Sequence, residues 1–252
     1  MKCPIVMLAA AAAVALACSA QAADLIVAAT NAVKPALEDL VPVFERANGH
    51  KVSLKFGVAA VVKRDLEGGA PFDLAIITSG GIADLVKQGK ITAGSETPIA
   101  RSGIGMMVRS GATKPDLSSA ATLKQAVLSA KSITWVKEGA SGVYFASLLE
   151  KLGIRDAVKP VLAVDGVDAA RKVASGEADL GALLINEIMA QPGVDLAGPL
   201  PAELQSYTPF SSGVAASSKN AAAAKALADY LITPDARAVF KAKGQEPGGA
   251  GL

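Results

Sequence analysis

The amino-acid sequence predicts an α/β fold built on parallel strands. Short apolar runs with the length of a buried strand alternate along the chain with longer segments whose apolar residues recur at helical spacing. Aromatic residues make up only 4% of the 252 residues and apolar residues 51%, a composition more typical of an α/β protein than of an all-β protein. Parallel strands need helical connections, so this alternation predicts sheets with helices on both faces.

Eight segments are predicted to be strands. Val52, Leu54 and Phe56 alternate with polar residues, which is the pattern of a half-buried strand, whereas most of the other segments are continuous apolar runs. The predicted strands are residues 25–29, 52–56, 73–77, 103–108, 132–136, 161–164, 180–184 and 207–215.

Helices are predicted between these strands. In the first, Leu37, Leu40, Val41 and Phe44 share one face, and Thr30-Asn31 can cap its start. The later predicted helices are residues 58–67, 82–88, 143–152, 167–175, 221–232 and 235–243. The Gly-rich tail, residues 246–252, is predicted to be disordered.

The first 22 residues are predicted to be a secretory signal peptide. Lys2 precedes an apolar run, residues 5–17, that is too short to span a bilayer, and Ala20-Gln21-Ala22 has the small residues of a cleavage site. Cleavage would leave a mature chain that begins at Ala23 and would place it in the bacterial periplasm. A lipoprotein signal that ends at Cys18 is the alternative, although it lacks a large apolar residue three positions upstream.

Composition excludes several classes of function. Cys3 and Cys18 lie in the predicted signal peptide, so the mature chain has no disulfide, cysteine nucleophile or thiolate metal site. The formal charge of the full chain is only +2, so it lacks the large positive charge with which proteins bind the phosphates of nucleic acids. This argues against nucleic acid as a partner. No further apolar run is long enough to span a membrane, and no motif predicts a metal or a cofactor.

Several predicted strands lead into a helix through small polar or glycine residues, and these junctions predict a binding site. Ligands of open α/β sheets bind beyond the carboxyl ends of the strands, where helix N-termini present unpaired N–H groups and the positive end of the helix dipole. Each junction alone is an ordinary helix cap, but together they would bind an anion without any charged side chain. The residues predicted to contact the ligand are Thr30, Asn31, Thr78, Ser79, Ser141 and Gly142, followed by Gly57, Val58 and Asn186.

No familiar catalytic constellation is recognisable. His50 is the only histidine, and as a lone loop residue it is expected to be exposed to solvent. Residues 139–143 depart from the G-x-S-x-G nucleophile motif at the last position. The sequence therefore favours binding over catalysis and leaves enzymatic activity open.

A family resemblance extends through most of the mature length. The stretches that carry it are residues 27–40, 44–52, 69–74, 140–144, 149–153, 176–181 and 198–205. In their order and spacing the chain resembles the bacterial periplasmic solute-binding proteins of ABC transporters, in the group that includes the molybdate-binding protein.

This resemblance implies a type II periplasmic binding fold with two α/β lobes. Each lobe is expected to hold a mostly parallel sheet flanked by helices, and two strands are expected to cross between the lobes near residues 101–103 and 211–213. Residues 23–101 and 214–252 would form one lobe and residues 102–213 the other, with a small anion bound in the cleft. An ABC permease of the inner membrane is the implied partner, and the protein is expected to be a monomer.

The sequence departs from the pattern of oxyanion binders at the second junction. Gly57-Val58-Ala59-Ala60 contains no hydroxyl group where such proteins carry serines, and Leu184 stands where a tyrosine is common, although Thr30 keeps a hydroxyl. Each donor missing from a buried anion site costs on the order of 1–3 kcal/mol. An organic carboxylate is therefore favoured over molybdate.

A periplasmic isomerase of a small unsaturated polycarboxylate is the alternative, because the chain is also similar to an aconitate isomerase built on this scaffold. Such an enzyme needs a general base, and Glu138 or Glu187 is the candidate.

Overall fold

The computed structural model describes residues 22–248 and confirms the α/β fold. The predicted signal peptide, apart from Ala22, lies outside the described residues. Within the described part, no helix combines the length and the hydropathy needed to span a bilayer.

Strands and helices alternate as the sequence predicts. The strands of the described residues are β1 (Asp24–Thr30), β2 (Lys51–Gly57), β3 (Leu74–Thr78), β4 (Thr97–Arg109), β5 (Ile133–Trp135), β6 (Leu180–Leu184), β7 (Val194–Pro199), β8 (Tyr207–Val214) and β9 (Glu246–Pro247). The helices are α1 (Lys34–Asn48), α2 (Ala59–Glu67), α3 (Ser79–Lys87), α4 (Ala120–Ser129), α5 (Ala140–Lys151), α6 (Gly166–Ser175), α7 (Ile185–Met189), α8 (Ala221–Tyr230) and α9 (Pro234–Ala242). A 3₁₀ turn, Asn31–Val33, joins β1 to α1.

The strands form a mixed sheet in two halves. In the first half-sheet β2, β1 and β3 are parallel, and β8 runs antiparallel to β3. In the second half-sheet β5 and β6 are parallel, whereas β4 is antiparallel to β6 and β7. The expectation of mostly parallel sheets therefore holds for β1 to β3 but not for the strands that pair with β4.

Strand β4 belongs to both half-sheets. Its first part pairs with β8 as far as Gly103, and from Ile104 onwards it pairs with β6 and β7. At the change of partner, the Ile104 N–H donates to Gln205 Oε1 at 2.8 Å and Gln205 Nε2 donates to the Ile104 carbonyl at 3.0 Å. One side chain thus supplies both hydrogen bonds that a neighbouring strand would make.

The second expected crossing, residues 211–213, lies within β8. Residues 211–213 pair with Ile77, Ile76 and Ala75 of β3, inside the first half-sheet. The chain enters β8 at Tyr207, which pairs with Gly103. We therefore propose that the second lobe ends before Tyr207; the other lobe boundaries stay a prediction.

Several elements differ from the sequence prediction. Residues 161–164 form no strand and only the isolated bridge between Val136 and Ala163, while α4, α7 and β7 arise where no element is expected. The predicted tail is ordered at its start, because Glu246-Pro247 pairs with β4 and the Glu246 carboxylate lies 2.6 Å from Arg101. Residues 249–252 lie outside the described part.

Two sequence predictions about burial have different outcomes. Leu37, Leu40, Val41 and Phe44 of α1 are all buried against the first half-sheet, as their spacing predicts. The expectation of an exposed His50 is wrong, since this residue is only 7% exposed and its Nδ1 accepts a hydrogen bond from the Ala23 N–H at 3.1 Å. The imidazole has a structural role at the start of β1 and β2.

Candidate functional site

A small cavity of about 30 Å³ lies between the two half-sheets, beyond the ends of β1, β3 and β6. From the first half-sheet its wall includes Thr30, Asn31, Ala32, Val58, Ala59 and Thr78. From the second half-sheet it includes Gly139, Ala140, Ser141, Gly166, Leu184 and Glu187. Both halves of the molecule therefore enclose the same space, which we call the inner cavity.

Helix starts surround the inner cavity. The helices α2, α3, α5 and α6, of 9 to 12 residues each, all begin at or next to a residue of its wall. Thr78 and Asp165 cap their own helices, since their side chains accept from the backbone N–H groups of Gly81 at 3.3 Å and Asp168 at 2.8 Å. Val58 and Gly139 make no such side-chain cap, so the first N–H groups of α2 and α5 are available to a ligand.

Two buried hydroxyl groups add donors to these helix starts. Thr30 is 4% exposed and Ser141 is 2% exposed, and neither hydroxyl pairs with another described residue. Each of these hydroxyl groups is therefore free to donate to a ligand in the cavity. The cavity thus offers N–H and O–H donors to an anion.

Part of the wall is apolar. The side chains of Val58 and Ala59 carry no hydroxyl group, and Leu184, Val136 and Phe210 add further apolar surface. The donors of the wall therefore alternate with apolar side chains.

A chamber of about 730 Å³ adjoins the inner cavity, and Asn31, Gly166 and Glu187 line both. We call it the outer chamber. Its rim carries two lysines whose charges are already paired, Lys34 with Glu38 at 3.7 Å and Lys243 with Asp39 at 2.7 Å.

Glu187 is the carboxylate of this site. It is the third residue of α7 and is partly buried, and burial together with the nearby charge of Asp165 raises its pKa to about 7. The Leu184 backbone N–H partly opposes this rise. Near neutral pH, Glu187 can thus both give and accept a proton.

Five of the nine predicted contact residues line the inner cavity: Thr30, Asn31, Val58, Thr78 and Ser141. Gly57 does not line it. The Ser79 hydroxyl lies 2.8 Å from that of Ser211 and is engaged within the protein. Asn186 lines the outer chamber, and its Nδ2 donates across the cleft to the Ala32 carbonyl.

Gly142 lies behind the cavity wall. A Cβ atom at this position would lie 1.9 Å from the Val136 carbonyl oxygen, so only glycine allows the first turn of α5 to approach the backbone that follows β5 this closely. Its part in the site is to position Ala140 and Ser141.

The two candidate bases occupy different environments. Glu138 is exposed, lines neither the inner cavity nor the outer chamber, and lies 3.5 Å from Arg64 in an ion pair. Glu187 lines both spaces. Of the two, only Glu187 is placed to meet a bound ligand.

Sequence reasoning missed part of the wall. The Asp165 cap marks the start of α6 and could have indicated Gly166, because a helix start after a strand-like segment is the same signal as at the other junctions. Phe210 lies within β8, and no local pattern singles it out. Within residues 22–248, no group of three or more His, Cys, Asp or Glu side chains is placed to hold a metal.

The role of the α5 start is tested by two substitutions of Ser141. Ser141→Ala removes the hydroxyl, whereas Ser141→Pro also removes the backbone N–H at the second residue of α5, a position that proline occupies in α1 as Pro35. Because a hydrogen bond to a charged group contributes about 1.5–3 kcal/mol, each lost donor should weaken ligand binding roughly 10- to 100-fold. Titration calorimetry should find the proline variant the weaker; equal affinities would show that the N–H does not contact the ligand.

The chain is similar to proteins of known family. It matches the family model for bacterial extracellular solute-binding proteins over residues 25–246. It is 32% identical over 238 residues to the molybdate-binding protein ModA of Azotobacter vinelandii, covering 91% of this chain and 92% of that protein. It is 29% identical over 232 residues to an aconitate isomerase of a Pseudomonas species, covering 88% of this chain and 87% of that protein.

A solved structure has the same fold. The periplasmic molybdate-binding protein of Azotobacter vinelandii has a TM-score of 0.72 to this chain at 23% identity, covering 88% of this chain and 98% of that one. The family match includes every residue that lines the inner cavity.

Proposed function

The chain belongs to the bacterial extracellular solute-binding protein family, and on this premise we propose that it captures a small organic carboxylate in the inner cavity. Membership with molybdate-binding relatives makes it a solute-binding protein for ABC import. The family implies a small anionic ligand, a membrane permease as partner and a periplasmic location. The signal peptide stays a prediction.

The wall of the inner cavity is the observation that carries the carboxylate assignment. A tetrahedral oxyanion needs donors on every side, because each buried oxygen left unpaired is costly. Here donors come from Thr30, Asn31 and Ser141 and from the first N–H groups of α2 and α5, while the side chains of Val58, Ala59 and Leu184 are apolar. Donors that alternate with apolar side chains suit a carboxylate with carbon atoms attached.

Ligand-dependent stability tests this function. The purified protein is heated alone and with succinate, malate, trans-aconitate, molybdate or sulfate. A ligand at about 100 times its dissociation constant should add roughly 2.7 kcal/mol to the free energy of unfolding, and we expect this for a di- or tricarboxylate. Submicromolar affinity for molybdate, measured by calorimetry, would contradict the carboxylate assignment.

Glu187 favours a second candidate function, isomerisation of an unsaturated polycarboxylate. A general base works best with a pKa near the working pH, and the pKa of Glu187 is raised to about 7. Its carboxylate would take a proton from a carbon of the substrate, the double bond would shift, and the same proton would return to another carbon, so that no oxidant or reductant is needed. Proton NMR of trans-aconitate with the protein would show the cis isomer, and Glu187→Gln should abolish its formation.

A further inference from the structure

We infer that Glu187 makes the site select carboxylates that also carry a hydroxyl group, because that hydroxyl donates a hydrogen bond to the Glu187 carboxylate. The inference rests on the proposed function and narrows its ligand class. It assigns Glu187 as a specificity-determining residue in a wall that otherwise offers donors.

The position of Glu187 supports this assignment. It lines the inner cavity and the outer chamber, so it stands at the passage between them. A ligand with one carboxylate at the α5 start and the rest of its chain in the outer chamber has to pass this residue. The cavity of about 30 Å³ leaves room for little more than one such head group.

No cation compensates Glu187 among the described residues. The acidic side chain of Asp165 lies on the neighbouring helix start and raises the Glu187 pKa instead of lowering it. Lys34 and Lys243 line the same chamber, but each is paired with an acidic residue of α1. Apart from the Leu184 backbone N–H, the donors for an ionised Glu187 therefore have to come from the ligand or from water.

Ligands differ in whether they supply this donor. Fully ionised molybdate or sulfate has only acceptor oxygens and would place negative charge against Glu187. A simple dicarboxylate meets the same repulsion with no donor to offset it. A hydroxycarboxylate presents its carboxylate to the helix starts and its O–H to Glu187, so that both kinds of wall group are paired.

The test compares ligands that differ by one hydroxyl group. Calorimetry at pH 8 measures malate against succinate and glycolate against acetate on the full protein, on Glu187→Gln and on the matched control Glu150→Gln, whose side chain is exposed on α5. We expect the wild type and the control to prefer the hydroxylated member of a pair by about 10- to 100-fold, as for a hydrogen bond to a charged group. Glu187→Gln should reduce this preference to less than about threefold and should bind succinate more tightly than the wild type does, since the repulsion is removed.

The outcomes separate the inference from the function it rests on. If succinate and malate bind the wild type equally, or if Glu187→Gln keeps the full preference, the inference is wrong while carboxylate binding stands. If neither these four carboxylates nor trans-aconitate binds, the proposed function fails and the inference with it. Circular dichroism of the variants verifies that each is folded before its affinities are interpreted.

Discussion

Glu187→Gln is expected to stabilise the ligand-free protein at pH 8 and to change its stability little near pH 4.5. In the unfolded chain the Glu187 carboxyl loses its proton near its ordinary pKa of 4.5, whereas in the folded protein it keeps the proton up to about pH 7. Between these values the folded state binds more protons, so raising the pH lowers the free energy of unfolding. Glutamine does not titrate, and its advantage at pH 8 should be on the order of 1–3 kcal/mol.

Urea unfolding at several pH values measures this effect as the difference between variant and wild type. Other charged groups around the site also affect the free energy of unfolding. Subtracting the wild-type value from the variant value at each pH removes the contribution that both proteins share. These groups are Asp165 before α6, Lys34, Glu38 and Asp39 on α1, and Lys243 after α9. A difference that is the same at pH 5 and pH 8 would show that Glu187 has an ordinary pKa.

Gly142→Ala is expected to disrupt both stability and binding. The added Cβ would lie 1.9 Å from the Val136 carbonyl oxygen, so backbone must move. Forcing an extra carbon into such a contact costs about 1–3 kcal/mol, and the shift displaces the N–H groups of Ala140 and Ser141 from the inner cavity. Urea unfolding and calorimetry with the best carboxylate should both register the change.

Gly80→Ala is the matched control. Gly80 also lies in the first turn of a helix that starts near the cavity, but a Cβ there meets no atom within 4 Å. Its stability should stay within about 0.5 kcal/mol of the wild type, as for an ordinary surface substitution. If Gly142→Ala behaves like Gly80→Ala, the packing of α5 against Val136 does not hold the site in place.

The sequence predicts most of the first half-sheet because local pattern and tertiary environment agree there. β1 and β3 contain continuous apolar runs that are largely buried, and the apolar face of α1 follows helical spacing. In contrast, β7 contains Gly198 and Pro199, which disfavour strands, and it exists because it pairs with β4. Its stability comes from a partner more than 80 residues earlier along the chain, which no local window contains.

From the sequence, only the helix starts of the candidate site can be predicted. Thr30 and Thr78 end β1 and β3 and Val58 follows β2, and the parallel arrangement of these three strands brings their ends to one edge. Ser141 comes from the other half-sheet. Which junction residues line the cavity is a matter of packing: Ser79 turns towards Ser211 and Gly142 towards Val136. The residues supplied by α6, α7 and β8 depend on how the half-sheets face one another.

The hydrogen bonds between Ile104 and Gln205 affect which interactions the protein would lose if the cleft opened. A side-chain amide turns about its own single bonds, so it can follow a rotation of β4 that a paired strand would resist. If the two half-sheets move apart, the contact between Asn186 and Ala32 is lost while the pairing of Gly103 with Tyr207 is kept. The ligand-free protein is therefore expected to populate open and closed forms, and the affinity measured for any ligand includes the fraction of molecules already closed.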